Sequence, residues 1–129
     1  MNKQRGFSLI ELMIALLIIG VVSSIAYPSY VQYVAQGTRS DGLAAIMRVA
    51  NLQEQYYLDN RQYTTDMTEL GLDTDPFLTR DGDYQVDATG GTTFTITATA
   101  KGAQATRDSA CASITLTESG VKAPEECWK

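Results

Sequence analysis

The hydrophobic pattern changes at Pro28. The 21 residues from Phe7 to Tyr27 are almost all apolar, with Glu11 as the one charged residue among them. As a helix, this run is roughly 30 Å long at about 1.5 Å per residue, which matches the hydrocarbon core of a bilayer. The pattern predicts a membrane-spanning helix within residues 7–28 and a small soluble domain within residues 29–129.

The helix is expected to continue from Ser29 to about Asn60, because two apolar stripes with helical spacing follow this part of the chain. Together they cover roughly two-thirds of the helix circumference, which is more than one buried face needs. We therefore expect one stripe to pack on the domain's own sheet and the other on neighbouring helices. The first stripe is Leu43, Ile46, Met47, Ala50 and Tyr57, and the second is Ala45, Val49, Leu52 and Tyr56.

The rest of the domain has the pattern of an antiparallel sheet. A short helical turn, capped near Thr65 or Asp66, precedes it. Alternating apolar and polar residues predict a hairpin of Tyr84–Ala88 with Thr92–Thr99 and a further strand at Ala112–Thr117. The predicted fold class is α+β: a long N-terminal helix, membrane-spanning in its first half, packed by its second half on a three- or four-stranded antiparallel sheet.

Charge and cysteine content place this domain across a membrane. The chain has 10 basic and 15 acidic residues, and two of the basic ones, Lys3 and Arg5, precede the apolar run. The positive-inside rule then keeps the N-terminus in the cytoplasm. The only cysteines, Cys111 and Cys127, lie in the exported part. An oxidising compartment favours a disulfide between them.

Catalytic and metal chemistry find little support in the sequence. Histidine is absent, which excludes Ser-His-Asp and Cys-His nucleophile systems and His-ligated metal sites. No glycine-rich phosphate loop is present. An acidic loop between Asp73 and Asp83 could hold calcium, but its spacing does not match an EF-hand, and Asp and Gly are ordinary turn residues. We therefore predict no enzyme activity, no cofactor and no metal.

The start of the chain resembles a known export signal. GFSLIEL followed by MIALLIIGVVSSIAYPSY, residues 6–30, resembles the class III signal of type IV pilins and pseudopilins. The resemblance implies a leader of residues 1–6, cleavage after Gly6 by a prepilin peptidase and N-methylation of Phe7. A secretory signal peptide is the competing interpretation. Such a peptide has small residues after its apolar core, whereas Gly6 precedes the run here.

The same resemblance gives Glu11 a role in assembly. A carboxylate inside a membrane helix costs several kcal/mol and is usually functional. The amine that cleavage creates on Phe7, of a neighbouring subunit or of the same one, is its expected partner. The alternative is that Glu11 only reaches the cytoplasmic interface from one turn inside the membrane.

Gly20 and Pro28 bound a weak part of the membrane helix. Pro28 lacks an amide hydrogen and crowds the carbonyl group of Ser24, so we expect a kink or a local opening. The family resemblance implies that Gly20–Pro28 can lose helicity in a filament. An ordinary proline kink, with the freed carbonyl groups bonded to serines, is the alternative.

The resemblance extends over most of the chain. RSDGLAAIMRVANLQEQYYLDNRQYT and the ending from Gly120 to Trp128 resemble PilE-type minor pilins, which share a family with the DNA-uptake receptor ComP. It implies a pilus subunit that is first a single-pass inner-membrane protein with a periplasmic domain. The subunit is later part of an extracellular filament. The implied partners are other pilins, the prepilin peptidase, the inner membrane and the pilus assembly platform.

Two other functions remain open from the sequence. DNA binding is possible but not favoured, because phosphate contacts need cations and the domain is acidic. Its cations could still cluster in space. The other alternative is a pseudopilin of type II secretion.

Overall fold

The main element of the structure is a single long helix. The computed structural model describes Lys3 and residues 5–129, so Met1, Asn2 and Gln4 of the predicted leader lie outside the described residues. Helix α1 spans Leu9–Asn60 with Pro28 inside it. The chain divides into two compact units, residues 1–33 and 34–129, and each contains part of α1. The predicted boundary between residues 28 and 29 stays a prediction.

The second unit contains an antiparallel sheet of five strands in the order β1-β2-β3-β4-β5. The α+β class is therefore confirmed. The sheet has more strands than the three or four expected, because two edge strands of two residues each add to the three longer ones. The strands are β1 Phe77–Leu78, β2 Tyr84–Thr89, β3 Thr95–Ala100, β4 Ser113–Thr117 and β5 Lys122–Ala123. Helix α2, Ala103–Arg107, and 3₁₀ turns at Met67–Leu70, Ser109–Cys111 and Glu125–Trp128 complete the unit.

The predicted alternation along the strands is confirmed. Ile96 and Ala98 on β3 are fully buried, and Thr97 between them is only partly buried. Ile96 pairs with Ala88 on one side and with Leu116 on the other, so apolar residues of three strands meet on one face of the sheet. This face packs with α1 and with buried residues of the segment from Tyr63 to Leu72 to form the core.

The predicted division of α1 into two stripes is wrong. Ile46, from the first stripe, and Ala45 and Val49, from the second, are all buried in the same core, whereas Met47 is 45% exposed. The buried face runs between the two stripes. It also includes a polar residue, Gln53, that apolar periodicity could not reveal.

At Gly42, α1 approaches the sheet closely. A Cβ atom at this position would lie 2.9–3.0 Å from three ring carbons of Tyr84, which is itself fully buried. Ordinary carbon–carbon contacts are about 3.5–4.0 Å long. The glycine thus lets the Tyr84 ring pack directly on the helix backbone.

The predicted cap of the helical turn is confirmed at Asp66. Its carboxylate accepts hydrogen bonds from the backbone nitrogen of Thr68 at 2.8 Å and from the Thr68 hydroxyl group at 2.5 Å. These two bonds lower the pKa of Asp66 below its usual value, since they favour the charged form.

Candidate assembly and recognition sites

The start of α1 is held by a reciprocal pair of hydrogen bonds. The backbone nitrogen of Ser8 donates to Oε2 of Glu11 at 2.8 Å, and the backbone nitrogen of Glu11 donates to Oγ of Ser8 at 3.3 Å. This is a capping box, in which two side chains satisfy amide groups that the first helical turn leaves free. Gly6 and Phe7 precede the helix, so the predicted cleavage bond lies outside it. Glu11 therefore has a second role that was not predicted from the sequence, although the S-x-x-E spacing is a known signal for it.

The large apolar side chains from Phe7 to Ile25 are exposed. Phe7 is 92% exposed, and the large apolar residues from Leu9 to Ile25 are each exposed by at least half. This part of α1 is long and apolar enough to cross a bilayer. A continuous apolar surface of this extent indicates a lipid or protein environment.

Serine hydroxyl groups bond to backbone carbonyl groups on both sides of Pro28. Oγ of Ser24 donates to the carbonyl of Val21 at 2.7 Å, and Oγ of Ser29 donates to the carbonyl of Ile25 at 3.2 Å. Such bonds are a usual feature of serines in helices. α1 is helical at Gly20 and Pro28 in this structure, and their role in a filament stays a prediction.

A polar cluster joins α1 to the segment before Cys111. Nε and Nη2 of Arg39 donate to the two carboxylate oxygens of Asp108 at 2.7 and 2.5 Å. Asp108 is 7% exposed, and its hydrogen bonding with Arg39 raises the pKa of Arg39. Nε2 of Gln104 donates to the carbonyl of Ala35 at 2.9 Å and to the hydroxyl of Tyr84 at 3.1 Å. The cluster brings together distant parts of the sequence, so no local motif could predict it.

The disulfide is present at the C-terminal end of the domain. Cys111 and Cys127 are bonded, with their Cα atoms 5.7 Å apart. Trp128 is half-buried against the core, and Nζ of Lys122 lies 5.1 Å from the centre of its ring. This cation–π contact occupies one face of the only tryptophan in the chain.

Two further cations share a groove beside α1. The groove has a volume of about 420 Å³ and contains Arg48 and Arg80 together with two carboxylates, Asp41 and Asp81. The guanidinium carbon of Arg48 lies 5.8 Å from the ring centre of Phe77. Arg80 therefore shares its groove with a second cation, a grouping that the sequence could not show.

No group of three or more acidic or cysteine side chains is positioned to hold a metal ion among residues 3 and 5–129. Asp75, in the loop considered for calcium, accepts a hydrogen bond from the backbone nitrogen of Met67 at 3.3 Å. At least one carboxylate of that loop thus takes part in turn structure.

An apolar N-terminal helix followed by a domain with an antiparallel sheet and a C-terminal disulfide is a type IV pilin-like fold. The model of the "Prokaryotic N-terminal methylation motif" matches residues 1–27. The model of the "Type IV minor pilin ComP, DNA uptake sequence receptor" matches residues 28–115. Because the latter covers more than half of the chain, the chain belongs to this family of type IV minor pilins. The resemblance inferred from the sequence is confirmed.

Individual relatives come from pili and from a secretion system. The fimbrial protein EcpC of Eikenella corrodens is 36% identical over 101 residues, which cover 76% of this chain and 63% of that protein. The type IV major pilin protein PilE1 of Neisseria gonorrhoeae is 32% identical over 57% of this chain and 44% of its own length. The type II secretion system core protein G of Escherichia coli is 34% identical over 57% of this chain and 49% of that protein. The chain spans about half the length of the relatives it matches.

Proposed function

We propose that this protein is a minor structural subunit of a type IV pilus. It is inserted in the inner membrane as a prepilin, with the domain of residues 29–129 on the periplasmic side. A prepilin peptidase cleaves it after Gly6, and the new N-terminal residue, Phe7, is N-methylated. The pilus assembly platform then adds it to an extracellular filament. The subunit has no catalysis of its own, and it supports pilus biogenesis, twitching, adhesion or DNA uptake.

The observation that carries this proposal is the exposure of the first part of α1. Its large apolar side chains, from Leu9 to Ile25, and that of Phe7 just before the helix are at least half exposed, with Glu11 as the one charged side chain among them. Lipid can cover this surface before assembly, and the same helix of other subunits can cover it afterwards. Both environments are apolar, so transfer from one to the other leaves no large apolar surface in water.

The test concerns Glu11, whose two roles can be separated. Glu11→Gln retains a side chain that can complete the capping box but removes the charge. Glu11→Ala removes both, and Ser8→Ala removes only the hydroxyl half of the box. If the carboxylate attracts the Phe7 amine of another subunit, both Glu11 variants insert in the membrane but are depleted from sheared filaments. Ser8→Ala is then incorporated nearly normally.

Incorporation is measured by mass spectrometry of sheared filaments, relative to the major subunit, and membrane insertion by resistance to alkaline extraction. Normal incorporation of Glu11→Gln would refute the electrostatic role and leave only helix capping. Absence of the unmodified chain from filaments would refute the pilus assignment. A defect in protein secretion on deletion of the chain, with normal pili, would favour the pseudopilin alternative.

DNA binding by the assembled subunit is the second candidate. It is supported by membership in a family whose description includes a DNA uptake sequence receptor and by the two cations, Arg48 and Arg80, that share one groove. The net negative charge of the chain opposes DNA binding, since the sequence has 10 basic and 15 acidic residues. Arg39 is unsuited to contact phosphate, because Asp108 already pairs with it.

A gel shift of the full chain in mild detergent tests this candidate at low salt. If the groove binds phosphates, Arg48→Ala with Arg80→Ala weakens binding and reduces the salt slope by about 0.9 for each phosphate that is no longer neutralised. Arg61→Ala with Arg107→Ala is the matched control, because it removes the same charge elsewhere. Absence of binding by the unmodified chain at low salt would remove DNA as a ligand.

A further inference from the structure

Three tyrosines form a stripe on α1 where the apolar run ends. Tyr27, Tyr30 and Tyr33 are 71%, 66% and 77% exposed. Each residue of an α-helix is rotated by about 100° from the previous one, so residues three apart are offset by about 60°. The three side chains therefore lie within one sector of about 120°. We refer to them as the tyrosine stripe.

The stripe has the position and length of a membrane interface. From Leu9, where α1 begins, to Tyr27 the helix rises by roughly 27 Å, which is close to the thickness of the hydrocarbon core. From Tyr27 to Tyr33 it rises by about 9 Å more. The headgroup layer on one side of a bilayer is about 5–8 Å thick. The stripe thus begins where the hydrocarbon ends and crosses the headgroup layer.

The hydroxyl groups of the stripe have no protein partner in the described part of the chain. In the second unit, the hydroxyl of Tyr56 donates to Glu69 at 3.0 Å and that of Tyr84 accepts from Gln104 at 3.1 Å. A phenol ring prefers an apolar environment, while its hydroxyl group needs hydrogen-bond partners. Lipid headgroups and their water satisfy both ends at once, which is why tyrosine is enriched at membrane interfaces.

We propose that the tyrosine stripe binds the headgroup layer of the bilayer and fixes the depth of the helix before assembly. This inference rests on the proposed membrane insertion. An anchored stripe holds the Gly6–Phe7 bond roughly 30 Å away, at the opposite surface of the membrane. The distance between stripe and cleavage bond then matches the bilayer, and the cost of hydrophobic mismatch stays small.

The experiment measures depth at Ser29 in the full chain. Ser29→Cys provides the reactive thiol, because the native cysteines are joined in the disulfide. The chain is reconstituted in vesicles of phosphatidylethanolamine and phosphatidylglycerol and treated with a membrane-impermeant maleimide. Replacement of all three tyrosines by alanine is expected to speed labelling several-fold, because residue 29 rises out of the headgroup layer. Replacement of all three by tryptophan should restore the slow rate, since tryptophan is also an interfacial anchor.

A matched control alters the other side of the same helix segment. Ile25→Ala with Gln32→Ala removes side-chain volume at positions roughly opposite the stripe, and it should leave the labelling rate close to that of the parent. An equal increase in this control would overturn the proposal, because it would show that any decrease in side-chain volume releases the helix.

Three further outcomes would also overturn it. If the alanine variant remains resistant to alkaline extraction but is labelled at the parent rate, the stripe does not set depth. A lower incorporation into filaments with unchanged labelling would assign this face to packing between subunits. If the parent chain itself fails to insert, the proposed membrane location fails and the anchor fails with it, so the two failures are distinguishable.

Discussion

Gly42 offers a direct test of how tightly α1 packs on the sheet. Gly42→Ala places a methyl group 2.9–3.0 Å from three carbons of the Tyr84 ring, about 0.5–1 Å closer than a relaxed contact. The ring cannot easily retreat, because Tyr84 is fully buried and its hydroxyl group accepts a hydrogen bond from Gln104. Overpacking of this kind typically costs about 1–3 kcal/mol.

Gly37→Ala is the matched control on the same helix. A Cβ atom at Gly37 would meet no other atom within 4 Å. Alanine is favoured over glycine in a helix by about 1 kcal/mol, so this substitution is expected to stabilise the domain. The same gain applies to Gly42→Ala, and the difference between the two variants therefore isolates the overpacking cost.

The comparison is made by thermal unfolding of the full chain in mild detergent, followed by near-ultraviolet circular dichroism. For a domain of this size, 1 kcal/mol corresponds to a change of about 4–8 °C in Tm. Gly42→Ala should therefore melt at least about 4 °C below Gly37→Ala. Equal melting temperatures would refute the reasoning, because they would mean that Tyr84 moves away from the helix without cost.

Three other changes test separate parts of the domain. Gln53→Ala should lower the free energy of unfolding by about 1–3 kcal/mol for each of the two backbone groups that it leaves unsatisfied. The control, Gln55→Ala at an exposed position, should change it by less than about 0.5 kcal/mol. Similar urea midpoints for the two variants would contradict this prediction. The pKa of Asp66 is lowered in the folded state, so its contribution to stability is present above about pH 4 and is lost as pH falls through the folded value. Asp66→Asn should flatten this acid limb in a pH series of urea midpoints, and an unchanged limb would exclude the cap as its source. Reduction of the bond between Cys111 and Cys127 should cost about 3 kcal/mol on the chain-entropy model; a urea midpoint insensitive to dithiothreitol would contradict it.

The Gln53 prediction depends on a pair of hydrogen bonds that sequence patterns do not indicate. Nε2 of Gln53 donates to the carbonyl of Thr64 at 2.6 Å, and its Oε1 accepts from the backbone nitrogen of the same residue at 3.1 Å. Gln53 is fully buried. In the sequence it looks like one of many polar residues on a helix. Only the fold brings the Thr64 backbone to it, and the buried amide then satisfies two groups that would otherwise lack partners.

Local chemistry explains why some features could be predicted. Strand positions such as Ile96 and Ile114 alternate with threonines, and a period of two fixes which face is buried. Asp66 caps the turn that follows it, which involves only neighbouring residues. The capping box of Ser8 and Glu11 is equally local, and its S-x-x-E spacing can be recognised in the sequence.

The sequence by itself determined the apolar N-terminal helix, the α+β class, the alternation of the strands and the pilin signal around Gly6 and Phe7. Each depends on composition or on spacing within a few residues. The tertiary structure decided which face of α1 is buried, because that face is set by packing against the sheet. It also decided the pairing of Arg39 with Asp108, 69 residues apart, and the fit of Gly42 against Tyr84. Such interactions form between distant segments, so no local pattern encodes them.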